Sequence, residues 1–146
     1  MRIHNLYVDA KGETHFRDID VEWKNEGRGG KTSATLPATG IIFRETPGSY
    51  DYEWHPAPRR QYIINLDAGV AISASDGETR IIGAGEVILV EDTSGKGHCS
   101  KAIEGKLRHS IFVPIEHARL VLDYQTGAFV AIGQNRAIQH EFLARL

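Results

Sequence analysis

The sequence holds a single cysteine, Cys99, among 146 residues. That excludes an intramolecular disulfide framework and fits a reducing, cytoplasmic setting. It has no run of five or more basic residues, and its formal net charge is only -2. Neither nucleic acid nor an anionic membrane is therefore expected as a partner. The start, Met1 to Asp9, lacks the apolar centre of a secretory signal, and no stretch approaches the roughly 20 apolar residues of a bilayer span. Internal repeats, low-complexity tracts and a helix-turn-helix pattern are lacking too. The length suits one domain with a real hydrophobic core.

Short β-branched runs separated by turn formers make up most of the chain from about Gly40 onward. Ile41 to Thr46 stops at Pro47-Gly48, and Gln61 to Leu66 and Val70 to Ser75 flank Gly69. Asp76-Gly77 tolerates the positive φ angles of a tight hairpin, and Thr79 to Ile82 returns from it. Val87 to Val90 follows Gly83-Ala84-Gly85-Glu86, and Leu107 to Val113 ends at Pro114. This spacing predicts an all-β, antiparallel sandwich or barrel. Weaker strands are expected near Leu6 to Val8 and Asp18 to Trp23, with Glu26 to Lys31 as a flexible loop. Leu120 to Tyr124 and Ala128 to Ile132 read as a last hairpin. From Asn135 a short terminal helix is expected, with Ile138, Phe142 and Leu146 as an apolar stripe.

Two blocks carry the chemistry. One runs Trp54-His55-Pro56-Ala57-Pro58-Arg59-Arg60-Gln61; the other runs Glu91-Asp92-Thr93-Ser94-Gly95-Lys96-Gly97-His98. If the sheet rolls up, the two imidazoles are expected on opposite walls of one pocket, where a histidine can act as general acid or base. Strand alternation lets only one of Arg59 and Arg60 face inward, where a guanidinium fork binds carboxylate or phosphate. Asp92 can fix the His98 tautomer. Tyr50, Tyr52 and Trp54 alternate; core packing is the simplest reading, and Tyr50 or Trp54 as pocket wall is the functional one. Cys99 should face away from a cavity-facing His98. His4, His15, His117 and His140 read as surface residues. Tyr62, Ile64 and Leu66 form an apolar strand face that needs cover from the N-terminal strands, the terminal helix or a partner subunit.

The two blocks resemble the motifs of the cupin superfamily. Gly48 can open the first motif, with His55 at its first histidine, Gln61 at its glutamate and Ala68-Gly69 at its closing turn. Gly85-Glu86 opens the second, and His98 closes it. The resemblance covers roughly Gly40 to Val113 and implies a double-stranded β-helix, the jelly-roll barrel, with a core at about 40–113. Strands in 1–39 and a hairpin and helix in 114–146 would complete a single domain over 1–146. The family's metal site of three imidazoles and a carboxylate is depleted here, with Ala57 at the second histidine and neutral Gln61 at the glutamate. If a divalent Fe, Mn, Ni or Zn is bound, the resemblance assigns it to His55, Gln61 and His98, a weaker set that Asp92, Glu91 or His109 could complete. It implies a small-molecule-binding protein, and cupins commonly pair as homodimers. The expected function is a lyase, isomerase or oxygenase acting on an oxygenated or carboxylate-bearing metabolite. His55 and His98 would be catalytic, with Tyr50, Trp54, Arg59, Gln61 and Asp92 contacting substrate; the alternative is a non-catalytic metabolite-binding relative.

Overall fold

The computed structural model describes residues 1–115, the strands at 119–122 and 129–132, and Gln125. These form fourteen strands: β1 (Arg2–Val8), β2 (Thr14–Asp20), β3 (Trp23–Gly27), β4 (Gly30–Ser33), β5 (Ile42–Thr46), β6 (Asp51–His55), β7 (Gln61–Asn65), β8 (Val70–Ala74), β9 (Thr79–Ile82), β10 (Val87–Val90), β11 (His98–Ala102), β12 (Arg108–Pro114), β13 (Arg119–Leu122) and β14 (Phe129–Ile132). The described residues contain no helix, and so none long and apolar enough to cross a membrane. The expected terminal helix, with His140 and its apolar stripe, lies outside the described residues, as does His117.

A six-stranded sheet runs β2-β1-β10-β7-β12-β5 and a four-stranded sheet runs β6-β11-β8-β9. All pairings are antiparallel except β1 with β10. Neither sheet closes on itself, so the fold is all-β without a closed barrel among the described residues. The core explains why the sheets stay together. Leu6, Ile88 and Val90 from the larger sheet cluster with Val70, Ile72 and Ala74 from the smaller, all nearly inaccessible. Val70, Ile72 and Ala74 alternate along β8, the period-two pattern that buries one strand face.

Glu26 to Lys31 is not a loose loop. Glu26 pairs with Lys31 and Gly27 with Gly30, making β3–β4 an exposed hairpin. Polar composition hid it, because a solvated ribbon needs no apolar alternation. His4 also departs from expectation. It is 4% exposed, and its ring meets Glu86, Arg80 and Arg2, so polar partners rather than solvent satisfy it.

The segment from Asp92 to His98 matters most for the site. Gly95 packs against the backbone of Gly12, Lys96 N–H donates to the Gly12 carbonyl, and Lys96 Nζ reaches Glu13 at 2.6 Å. Gly97 has φ +73°, and a Cβ there would stand 2.3 Å from the His55 carbonyl carbon. Only glycine permits that approach. Gly97→Ala is expected to lower the unfolding free energy by about 1–3 kcal/mol in urea denaturation. A neutral change would mean that this loop does not press against β6.

Candidate functional site

His55 and His98 are directly opposed residues on the neighbouring strands β6 and β11, with ring centroids 4.5 Å apart. They do not face each other from opposite walls, as rolling the sheet would have placed them. Antiparallel register brings them side by side on one wall, because opposed residues in such a pair have Cβ atoms about 5 Å apart. Between His98 and Ser100 the pairing shifts: two steps on β11 match three on β6, from His55 to Tyr52. The extra residue is a β-bulge, which breaks the alternation of Tyr50, Tyr52 and Trp54. Tyr50 lines the cavity and its hydroxyl hydrogen-bonds Ser100 at 2.8 Å, whereas Trp54 is 55% exposed and outside the lining. Tyr52, also exposed, lays its ring 3.9 Å from that of His55.

The hydrogen bonds fix both tautomers. His55 Nδ1–H donates to the Glu53 carbonyl at 2.6 Å, and His98 Nδ1 meets the Asp92 carboxylate at 2.5 Å. In their neutral forms both rings therefore offer an unprotonated Nε2. Asp92 is fully buried behind His98 and does not line the cavity, so it positions the imidazole instead of contacting a ligand. Cys99 is likewise outside the lining, as strand alternation requires.

The cavity between the sheets has a volume of 290 Å³. Ile63, Ile88, Val90 and Phe112 from one sheet and Val70 and Ile72 from the other give it apolar walls. The exposed lining residues Ile42, Arg44, Pro58 and Arg59 mark where it opens. Gln61 lines it and is 3% exposed. Arg60 turns away to Glu91 at 2.7 Å, leaving Arg59 as the inward member of that pair.

Two charged lining residues were missed in the sequence. Arg108 and Arg44 share the inward face with Phe112 and Ile42, since Arg108 pairs with Thr46 and Ser110 with Arg44. The available signal was parity: once Phe112 is inward, so is Arg108. His109 consequently points outward, to Asp67 at 2.5 Å and Glu45 at 2.8 Å. Arg108 is 6% exposed, and its nearest hydrogen-bond acceptor is Asn65 Oδ1 at 3.2 Å. Neither Arg108 nor Arg44 forms an ion pair with a carboxylate among the described residues. Their guanidinium carbons lie 5.9 and 5.6 Å from the Tyr50 ring centroid. Burial pushes the Arg108 pKa down, and the Arg44 charge adds to that push. Burying a lone guanidinium costs several kcal/mol, while one hydrogen bond and a ring contact return about 1–3 kcal/mol.

The donor set does not fit the metal that the family resemblance implies. Glu91 is held by Arg60 and by Asn5 Nδ2, His109 lies on the outer face, and Asp92 is spent on His98 Nδ1. No cluster of three or more His, Cys, Asp or Glu side chains suited to a metal occurs among the described residues. Two neutral imidazoles and an amide beside three arginines supply no negative charge to offset a dication.

Comparison with family models gives no match, and comparison with curated proteins gives none. Among solved structures the chain is similar to protein NMB1881 from Neisseria meningitidis, at 17% identity and a TM-score of 0.41 over 56% of this chain and 79% of that one. It is also similar to SPY1581 from Streptococcus pyogenes, a conserved protein of unknown function, at 21% identity and a TM-score of 0.41 over 60% and 74%. Likeness at this level carries no functional argument.

The histidines differ in how they hold a proton. Bonding to Asp67, then Glu45, raises the His109 pKa above its ordinary 6.5, and Asp9 and Asp76 do the same for His15. Burial lowers that of His55, which nearby His98 reinforces, against a smaller opposing effect of the Glu53 carbonyl. The contributions of His15 and His109 to stability are thus full below pH 6.5 and fade as pH rises through their raised pKa values. That of His55 is present above 6.5 and fades as pH falls through its lowered one. Ring-proton NMR titration should place His109 and His15 above 6.5 and His55 below it. The reverse order would contradict this geometry.

Proposed function

We propose that this chain is a cupin-type jelly-roll protein whose cavity binds a small oxygenated or carboxylate-bearing metabolite and moves a proton on it, as a lyase or isomerase does. The observation that carries the reading is the buried Asp92–His98 pair, with His98 Nε2 left free beside His55 at the wall of the cavity. A carboxylate that orients an imidazole and stabilises its protonated form is the general-base arrangement in hydrolytic triads and elsewhere. His98 Nε2 would take a proton from a carbon beside a carbonyl. The C–H electron pair moves into a C=C bond and the carbonyl oxygen takes up negative charge. The protonated pair then returns the proton in one of two ways: to the γ-carbon of a substrate carrying a β,γ double bond, as the oxygen's electron pair re-forms the carbonyl and the C=C moves into conjugation, or to a departing β-hydroxyl, which leaves as water as the carbonyl re-forms. Both rings lie on one wall, so removal and return occur on the same face of the substrate. Burial lowers the His55 pKa, so that ring holds a proton less readily and leaves His98 as the base.

The depleted metal set favours a second reading, a relative that binds without reacting. Ala57, at the position of the second histidine, is 4% exposed and belongs to the hydrophobic core, where it can serve no ligand. Exchange of ketone α-protons in D2O separates the two readings. 2-Heptanone and 6-oxoheptanoate should lose their α-proton signals faster with the protein than in buffer. His98→Ala and Asp92→Asn should each slow that exchange by about 10²-fold or more. Equal rates for parent, variants and buffer, with the probes still bound, would sink the catalytic reading and leave the binding one.

We also propose that the chain pairs as a homodimer. Tyr62, Ile64, Val87 and Val113 line a second, almost wholly apolar groove of 270 Å³ on the other face of the larger sheet, only partly covered by Leu36, Pro37 and Ala38. Sedimentation equilibrium should return twice the chain mass; a single-chain mass at high concentration would overturn the pairing.

A further inference from the structure

The arginines make the cavity selective in a way the histidines do not. Among the described residues its lining holds Arg44, Arg59 and Arg108 and no aspartate or glutamate. Arg108 is the decisive member. It is buried, it carries five N–H donors, and Asn65 Oδ1 takes only one of them. Arg44 stands diagonally across the β5–β12 pair, so two like charges share one inward patch without a carboxylate between them. Folding tolerates such a patch when an anion completes it.

Its place in the cavity adds the second constraint. Arg44 and Arg108 both approach Tyr50, whose carbonyl accepts from Ala102 N–H at the far end of β11. His98 begins that strand and pairs with His55. Gln61 belongs to the histidine end, since it pairs with Val90, two residues before Asp92. The Tyr50 hydroxyl meets Ser100, two residues along β11 from His98, and its ring lies 6.3 Å from that of Tyr52, itself 3.9 Å from that of His55, so the Tyr50 and His55 rings are no more than about 10 Å apart. The walls between are apolar: Ile63, Val70, Ile72, Ile88 and Phe112.

Resting on the small-molecule reading above, we infer that the ligand is an extended carboxylate. Arg108 and Arg44 grip its anionic head, an apolar spacer of several carbons lies along the apolar walls, and the oxygenated carbon reaches His55 and His98. Acids whose reactive carbonyl adjoins the carboxylate, such as pyruvate, are too short to meet both ends. Arg59, at the open rim by the histidine end, is not the head-group receptor.

Titrations followed by histidine ring NMR test this with four probes: 6-oxoheptanoate, its primary amide, pyruvate and inorganic phosphate. The acid should shift the His98 and His55 ring signals and bind at least about tenfold tighter than the amide. Pyruvate and phosphate should leave the rings unshifted. Arg108→Gln should weaken the acid far more than the amide, erasing the preference between them, and should raise the melting temperature of the free protein by removing a buried charge. Arg44→Gln, at an exposed position, should reduce the preference several-fold; Arg59→Gln should not. If the amide shifts the rings as strongly as the acid, or Arg108→Gln and Arg44→Gln keep the preference, the arginine assignment falls and the small-molecule reading stands. If phosphate alone competes as well as the acid, the site is a simple anion site and the extended carboxylate is wrong. If no probe moves either ring, both readings fall together.

Discussion

The pairing of β11 with β6 is the constraint on which the site depends. Backbone hydrogen bonds set His98 against His55, and the Gly97 approach to the His55 carbonyl locks the loop that precedes it. Displacing that register by one residue would turn His98 out of the cavity and Cys99 into it. The Asp92 carboxylate then acts on a ring already in place, fixing its tautomer without reaching the cavity itself.

Two kinds of imperfection lie around this arrangement, and they differ in meaning. The bulge in β6 costs regularity and gains orientation, because it brings His55 to the same face as Tyr52 and leaves Trp54 in solvent. The uncompensated guanidinium of Arg108 costs stability outright and gains nothing that packing alone can explain. A methionine, the apolar side chain nearest it in length, would bury more cheaply on the inward face that Phe112 shares. Buried charges kept in spite of such a cost mark functional sites more often than structural ones.

Much of this was legible in the sequence where a local rule sufficed. Thr79 to Ile82 and Val87 to Val90 coincide with β9 and β10, since Asp76-Gly77 and Gly83-Ala84-Gly85-Glu86 leave the chain little choice of turn. The Asp92–His98 contact was readable because both groups bracket one short loop. What was not legible depended on the partner strand. Nothing within Leu107 to Val113 says whether Arg108 or His109 faces the core, since each parity mixes a charge with apolar residues. The parallel partnership of β1 with β10 buries His4, and no local pattern announces it. The side-by-side placement of the two imidazoles follows from register, which spacing along the chain does not encode.

Everything in the site turns on His98 and His55 presenting free Nε2 atoms side by side, each held through Nδ1. Long-range proton–nitrogen correlation NMR on uniformly nitrogen-15-labelled protein, above neutral pH, reads those tautomers directly. The geometry predicts Nδ1–H and bare Nε2 for both rings, with the His98 pattern changed in Asp92→Asn. An Nε2–H tautomer at His98 in the parent protein would contradict it, because the ring would then have no basic nitrogen to offer the cavity.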